Sequence, residues 1–383
     1  MRVLHVTTTG WQPREGVARA VQALVPRLPG EHHLAAPGTG VGVDRPAGFA
    51  GVHGIGGGTC PGPTPALRAA VAHLRPDVIH VHGGEGVGAV AWGIAAATAV
   101  PVVAGVYGRL DRPRLRDLRD GDHRGVSMSV PRRLVAASTG IPLLRAGLRR
   151  RALAAVCTTD AELAARLAGT GPVHLALGAA EPSPNRAHWS ASPTIVFAGR
   201  AEAARGLDEL VTAHLRIRRV IPTARLRLAL LPTPDAGRWA GLRLPGLDVS
   251  LGPLGDLDRV LASATVAALP FRVDATITPA LVAAEAMAVG LPVVATDVRC
   301  LRALVTDGHN GRIVPRRDAA ELAAAIVDLL DDRDRWHALA DGAWRTIEQL
   351  WSWDRAARTV ASVHRDAAGR SPSGVAHVGE EAA

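Results

Sequence analysis

A chain of 383 residues exceeds what one hydrophobic core ordinarily serves and implies two domains. Its 48 % apolar composition is that of a globular protein. All 44 of its basic residues are arginine, which excludes a Walker A phosphate loop, a pyridoxal Schiff base and any lysine nucleophile.

The net charge of +9 is concentrated, because Arg109 to Arg151 alone holds 12 Arg against 4 Asp. The high pI therefore needs no nucleic-acid partner. Segment 109–151 reads as a docking surface for something anionic, a bilayer or a phosphorylated acceptor, or else as a solvated helical face. Cys60, Cys157 and Cys300 have unrelated spacings and form neither a disulfide framework nor a CxxC site, which fits a reducing cytoplasm.

Along the chain, "MRVLHVTT" alternates like a strand and lacks the apolar core of a signal peptide. The uncharged run Gly86 to Gly108 is long enough to span a bilayer. Its Gly/Ala content, Pro101 and the β-branched "VPVVAGV" instead predict a helix followed by a buried strand. Strands are predicted at "RVLHVTT", "DVIHVH", "PVVAGVY", "AAVCTT" and "VHLAL".

The polar stretch Gly178 to Pro193 reads as a linker. After it the pattern restarts with strand "TIVFAG", helix "LDELVTAHLRIRR", strands "ARLRLALL" and "LDVSL", helix "LDRVLASA", strand "TVAALP", helix "PALVAAEAMAV" and strand "PVVAT". Beyond "NGRIVP" the pattern is helical to about Ala368, followed by a polar tail. The fold class is α/β: two Rossmann-like, doubly wound parallel-sheet domains facing a cleft, over 1–180 and 181–350. A helix over 351–368 crosses back, and 369–383 is the tail. Ligands of such sheets sit at the carboxyl ends of the strands.

Two constellations carry chemistry. In "VFAGRAEAARGLDEL" a strand ends at Gly199, with Arg200 after it and Arg205 and Gly206 opening the next helix. Two permanent cations and free backbone N–H groups around one turn would receive a diphosphate. Taken without context they are two surface arginines.

In "DATITPALVAAEAMAVGLPVVATDV" a helix is expected from about Pro279 to Val289, capped by Thr278 and ended by Gly290 and Pro292. Glu285 shares a face with Thr278, Leu281 and Val282. Burying a carboxylate on this apolar helix is costly unless it accepts hydrogen bonds, which a ribose diol would donate. The amino end around Thr278, Pro279 and Ala280 points its N–H groups and positive dipole toward a phosphate. Glu285 as the cap of a neighbouring loop is the alternative.

These stretches resemble the retaining glycosyltransferases of the GT-B fold, in the large family four group that uses nucleotide-sugar donors. "EAMAVGLPVVATDV" is near-verbatim the donor-site signature, "FAGRAEAARGLDEL" matches the phosphate turn, and "LVTDGHNGRIVPRRDAAELAAAIVDLLDD" matches the segment that follows. "WSWDRAA" is similar to the start of the final crossing helix, and "RPDVIHVHG" and "VPVVAGVYG" to the paired acceptor-side strands.

The resemblance implies that Arg200 and Arg205 neutralise the departing diphosphate, Glu285 holds the ribose hydroxyls, and Gly16 lets the first helix approach the phosphates. It implies no cofactor and no metal for transfer. The family commonly has Lys at the position of Arg205. It usually has Glu at Ile277, flanked here by Thr276 and Thr278, and His at Tyr107, which can hydrogen-bond a sugar hydroxyl but is no base near neutral pH. The acceptor is a hydroxyl, with a lipid-linked one at the inner membrane face suited to segment 109–151 and its apolar "IPLLRAGL". A soluble acceptor is the runner-up.

Other readings compete. "GEGVGA", Gly84 to Ala89, satisfies a dinucleotide fingerprint and suggests a hydride-transfer enzyme, although it follows several elements instead of opening the first unit and only Asp111 offers an acidic partner. A degenerate, non-catalytic nucleotide-sugar binder is the other alternative. His80 and His82 face one side of a strand near Glu85, but a metal site needs a further ligand, and the residues read instead as structural or acceptor-contacting. His123 in the basic segment is a substitute base without local support.

Overall fold

A computed structural model describes residues 1–11, 16–38, 45–56, 62–84, 86–108, 130–176, 178–233, 235–252, 256–274 and 276–369. Asp111, His123, Glu85, Cys60, the first half of the basic segment and residues 370–383 lie outside the described residues. The chain divides into two compact units. The first comprises Met1–Leu110, Ala136–Ala176 and Ala356–Ala383, and the second Asp111–Val135 and Leu177–Arg355.

The strands of the first unit are β1 (Arg2–Thr7), β2 (Glu31–Ala36), β3 (Gly51–Gly54), β4 (Val78–Gly83), β5 (Val102–Val106), β6 (Ala155–Thr158) and β7 (Val173–Leu175). They form one parallel sheet in the order β3-β2-β1-β4-β5-β6-β7. Helices α1 (Gly16–Leu24), α2 (Pro65–Leu74), α3 (Val87–Ala97), α4 (Val130–Arg149) and α5 (Ala161–Leu167) lie between them in the chain. The run Gly86 to Gly108 is thus a helix and a strand, and no described helix is long and apolar enough to cross a membrane.

The two faces of this sheet differ, and period-two alternation explains how. Leu4, Val6, Ile79, Val81, Val102, Ala104 and Val106 belong to one apolar cluster with Leu67 of α2 and Ile94 of α3. The other parity carries histidines: His5 is in register with His80, Val3 with His32, and Thr7 with His82. Against that same group lies His364 of the final helix, α13 (Trp353–Ala368, numbered after those of the second unit).

The second unit has β8 (Thr194–Arg200), β9 (Arg225–Leu231), β10 (Leu247–Leu251), β11 (Val266–Leu269), β12 (Val293–Thr296) and β13 (Gly311–Val314). Its helices are α6 (Leu207–Val220), α7 (Ala236–Ala240), α8 (Leu257–Ala262), α9 (Leu281–Ala288), α10 (Arg299–Arg302), α11 (Ala319–Asp331) and α12 (Arg333–Leu350). The parallel sheet runs β10-β9-β8-β11-β12-β13, so strand order reverses between β8 and β11, where doubly wound sheets bind ligands.

Several expectations need correction. Strands β2 and β3 were not expected, because "EHHLAA" and "GVHG" are poor in β-branched residues, and β13 forms inside a stretch read only as the boundary of a helical tail. The helix around Glu285 starts at Leu281, not Pro279, and its N-cap is Ala280 with no side-chain cap, so Thr278 does not cap it. The Ala280 N–H is instead held by the Cys300 carbonyl at 2.9 Å, which ends the loop two residues later than the Thr-Pro signal suggests.

The linker Gly178 to Pro193 is tied down along its length. Its Ser183 and Ala187 N–H groups bond the Ala288 and Val289 carbonyls at 3.0 and 2.8 Å, satisfying C-terminal acceptors that α9 cannot satisfy itself.

Candidate functional site

The site is built on the turn between β8 and α6. Arg200 ends β8, a single 3₁₀ turn spans Ala203–Arg205, and Gly206 in the left-handed region at φ 69° opens α6. Glycine is required there. A Cβ on Gly206 would sit 1.9 Å from the Pro270 carbonyl oxygen, a backbone atom just past β11.

Glu202, only 6 % exposed, stands between the two arginines. It accepts from Arg200 Nε at 2.5 Å and lies 3.7 Å from Arg205 Nε. The Arg205 guanidinium is buried over the Phe271 ring at 4.6 Å, and this burial lowers its pKa against the opposing pull of Glu202. The turn is therefore not the pair of uncompensated cations that the sequence suggests. One internal carboxylate holds both guanidinium groups in place, while Arg200 keeps 41 % of its side chain exposed.

The floor under the turn is fixed by long-range bonds. Arg272 donates its N–H to the Ala204 carbonyl at 2.9 Å, and its guanidinium forks onto Glu209 with Nε and a terminal nitrogen each at 2.9 Å. Bidentate pairs of this kind fix direction as well as distance. Arg316 then donates to the Arg272 carbonyl at 2.8 Å. Glu202, Glu209, Arg272 and Arg316 were all missed by the sequence reading. The spacing Arg-x-Glu-x-x-Arg was the available signal for Glu202, whereas the pairing of Glu209 with Arg272 spans 63 residues and leaves none.

Helix α9 follows β11 in the chain. Leu281, Ala283, Ala284, Ala286, Met287 and Ala288 are buried, so Val282 and Glu285, three apart, form its one incompletely buried stripe. Helix geometry leaves the first-turn N–H groups of Leu281 and Val282 without intrahelical acceptors. Thr278, Pro279 and Ala280 are buried, and Thr276 and Ile277 half-buried, in the loop that leads into this helix. Cys300 anchors the amino end of α9: its carbonyl takes the Ala280 N–H at 2.9 Å, and its own N–H is donated to Asp274 at 2.7 Å.

The remaining expected residues, Gly16, His82 and Tyr107, belong to the first unit. Gly16 opens α1 of the first unit. His82 is fully buried, and the hydroxyl of Tyr107, 8 % exposed, lies 3.1 Å from His82 Nδ1. Burial also pushes the Tyr107 phenol well above its ordinary range.

Burial holds His82 and His364 down to about 3, and His5 and His80 well below their ordinary value of 6.5. The unfolded chain then binds more protons than the folded one as pH falls below 6.5, so the contribution is full at neutral pH and is lost toward 3. His82 and His364 alone are expected to remove about 2 kcal/mol each between pH 7 and pH 5. Thermal melts across that range should show Tm falling with pH; a flat profile would show that these histidines are not buried as neutral groups.

Residues 192–332, which run from two residues before β8 to one past α11, match the family model described as Glycosyl transferases group 1. The D-inositol 3-phosphate glycosyltransferase of Xylanimonas cellulosilytica is 37 % identical over 198 residues, which is 48 % of this chain and 44 % of that protein. The enzyme of the same name from Streptomyces coelicolor is 32 % identical over 184 residues, 44 % of this chain and 39 % of that one. The chain thus spans less than half the length of these curated relatives.

Among solved structures, sucrose-phosphate synthase from Thermosynechococcus elongatus superposes with a TM-score of 0.71 at 18 % identity, covering 95 % of this chain and 98 % of that one. Anabaena Alr3699/HepE in complex with UDP-glucose gives 0.68 at 15 % identity, covering 94 % and 98 %. The fold is the two-unit GT-B arrangement of parallel α/β sheets, and its second unit carries the group 1 glycosyl transferase match. Neither an oxidoreductase nor a non-catalytic binder is favoured by these likenesses.

Proposed function

We propose that the protein is a retaining glycosyltransferase of the family four type that moves a hexose from a nucleoside diphosphate sugar to a hydroxyl acceptor. The observation that carries this reading is the β8–α6 turn. Arg200 and Arg205 flank the buried Glu202 at the strand-order reversal, inside the stretch that matches the family model. Solved structures of the same fold with UDP and UDP-glucose support the donor class.

In this reading the bond between the sugar's anomeric carbon and the diphosphate breaks, and a bond from that carbon to the acceptor oxygen forms on the same face. The acceptor's proton passes to the departing diphosphate oxygen. Arg200 and Arg205 stabilise the growing charge on the diphosphate, held by Glu202 so that little reorganisation accompanies the reaction. The amino end of α9 adds its unpaired N–H groups, and Glu285 accepts from the ribose hydroxyls.

Ile277 lies in the loop ahead of α9 at the position where the resemblance places a sugar-contacting Glu, and is assigned to sugar preference together with Thr276. The acceptor is proposed to be lipid-linked, with segment 109–151 contacting an anionic membrane surface at its cytoplasmic face. The domains are proposed as 1–180 and 181–350, with the 351–368 helix returning to the first.

A panel of nucleotide sugars tested by thermal denaturation checks the donor assignment. A ligand present at 100 times its Kd stabilises the folded state by about 2.7 kcal/mol. At least one nucleoside diphosphate sugar should raise Tm while nicotinamide dinucleotides do not. Stabilisation by a nicotinamide cofactor alone would overturn the reading.

A further inference from the structure

The histidine face of the first sheet holds an arrangement to which the proposed transfer step assigns no role. His5 on β1 and His80 and His82 on β4 are each fully buried, and each offers one ring nitrogen such that the three lie within 4.8 Å of one another. The sequence supplied two histidines at i and i+2 and no third ligand. The register of β1 against β4 supplies it, setting His5 opposite His80.

The outer nitrogen of each ring has its own partner. His5 Nε2 meets His32 Nδ1 at 3.0 Å, His82 Nδ1 meets the Tyr107 hydroxyl at 3.1 Å, and His80 Nδ1 meets His364 Nε2 at 2.9 Å. The nitrogens left over are His5 Nδ1 and His82 Nε2, which face each other at 2.9 Å, and His80 Nε2, which is buried and has no hydrogen-bond partner among the described residues. Metal-binding histidines characteristically give one nitrogen to the ion and donate the other N–H to an orienting acceptor. Here three candidate ligands each have one orienting group, drawn from β2, from the residue after β5, and from α13.

We propose that His5, His80 and His82 form a binding site for a late first-row transition-metal ion, through His5 Nδ1, His82 Nε2 and His80 Nε2. The donor set is all imidazole, which suits zinc, copper, nickel or cobalt and not magnesium or calcium. Bonds of about 2.0–2.1 Å from each nitrogen require the His5–His82 pair to open by a few tenths of an ångström. His82 must then carry its proton on Nδ1, facing Tyr107, and His5 on Nε2, facing His32. This changes tautomers and releases no proton.

The backbone approaches the cluster closely at this place, and only glycine allows it. Gly105 on β5 is in register with His82, and a Cβ there would come within 2.8 Å of His80 Nε2 and 3.1 Å of His82 Nδ1. The bound ion would pin β1 to β4. Through His364 it would also hold α13 against the sheet.

The test uses the tag-free full-length chain, stripped with chelator and titrated with Zn²⁺ and, separately, Co²⁺. The expected result is one ion per chain by elemental analysis after desalting, the strong visible absorption of low-coordinate Co²⁺, and a higher Tm in the presence of Zn²⁺. His80→Gln and His5→Gln should each lower affinity by at least about 100-fold, while His364→Gln and Tyr107→Phe, which remove only an orienting partner, should cost about 10- to 100-fold and keep the stoichiometry.

His309→Gln, on a turn of the second unit, serves as the control and should change nothing. If a histidine variant fails to fold, Gly105→Ala, which crowds the site without removing a ligand, must weaken binding. No retained ion, or an ion whose affinity is the same in His80→Gln, His5→Gln and Gly105→Ala, would overturn the proposal and leave the cluster as hydrogen-bonded core.

Discussion

Arg200→Ala is expected to lower the rate of sugar transfer by about 10²–10³-fold, the usual loss when one preorganised donor to a developing charge is removed. Its Tm should fall less than that of Arg205→Ala, because the Arg200 side chain is 41 % exposed, although the buried Glu202 then keeps only Arg205 at 3.7 Å. Arg205→Ala removes a cation buried over Phe271 and leaves Glu202 with one partner, so it is expected to lower both activity and Tm. Steady-state kinetics beside thermal melts separate the two variants. Full activity in Arg200→Ala would remove this arginine from the reaction.

Gly206→Ala is expected to destabilise the second unit by about 3–4 kcal/mol. The left-handed backbone costs alanine about 1–2 kcal/mol, and the overlap with the Pro270 carbonyl forces a further backbone shift. For a unit of this size that corresponds to a Tm loss of roughly 10 °C. The displaced Pro270 adjoins Phe271, on which Arg205 rests, so the folded fraction should also bind donor more weakly. A change in Tm of under about 2 °C would show that the turn can relax away from β11.

Strands rich in Val, Ile and Leu, such as β1, β4, β5, β8 and β12, were legible because a buried parallel strand must be apolar on both faces or strictly alternating. Strand β2 was not, since "EHHLAA" has little intrinsic preference for extension. It is held by β1 and β3 on either side, and its His32 Nδ1 is partnered by His5 Nε2 at 3.0 Å. The start of α9 was misplaced because the cap signal at Thr278 is local, while the hydrogen bond that ends the loop comes from Cys300, twenty residues away.

The site divides in the same way. Arg200, Arg205 and Glu285 stood out because charges at a strand end or on an apolar helix need a reason. The carboxylate that organises the arginines was overlooked, since an acidic residue just before a helix reads as an ordinary helix-start signal. Tyr107 was placed near substrate by the resemblance and His82 by its strand; the bond between the two, and that of His82 to His5 on β1, are long-range contacts that no local pattern records.

The most direct measurement is calorimetric titration of the protein with the nucleoside diphosphate of the donor that stabilises it, against the same nucleotide lacking its ribose 2′- and 3′-hydroxyls. Wild type should prefer the intact ribose by about 10- to 100-fold, as expected for hydrogen bonds to a charged acceptor, and Glu285→Gln should lose most of that preference while still binding through the diphosphate. Equal binding of the two nucleotides by wild type, or an undiminished preference in Glu285→Gln, would contradict the assignment of this helix to the donor.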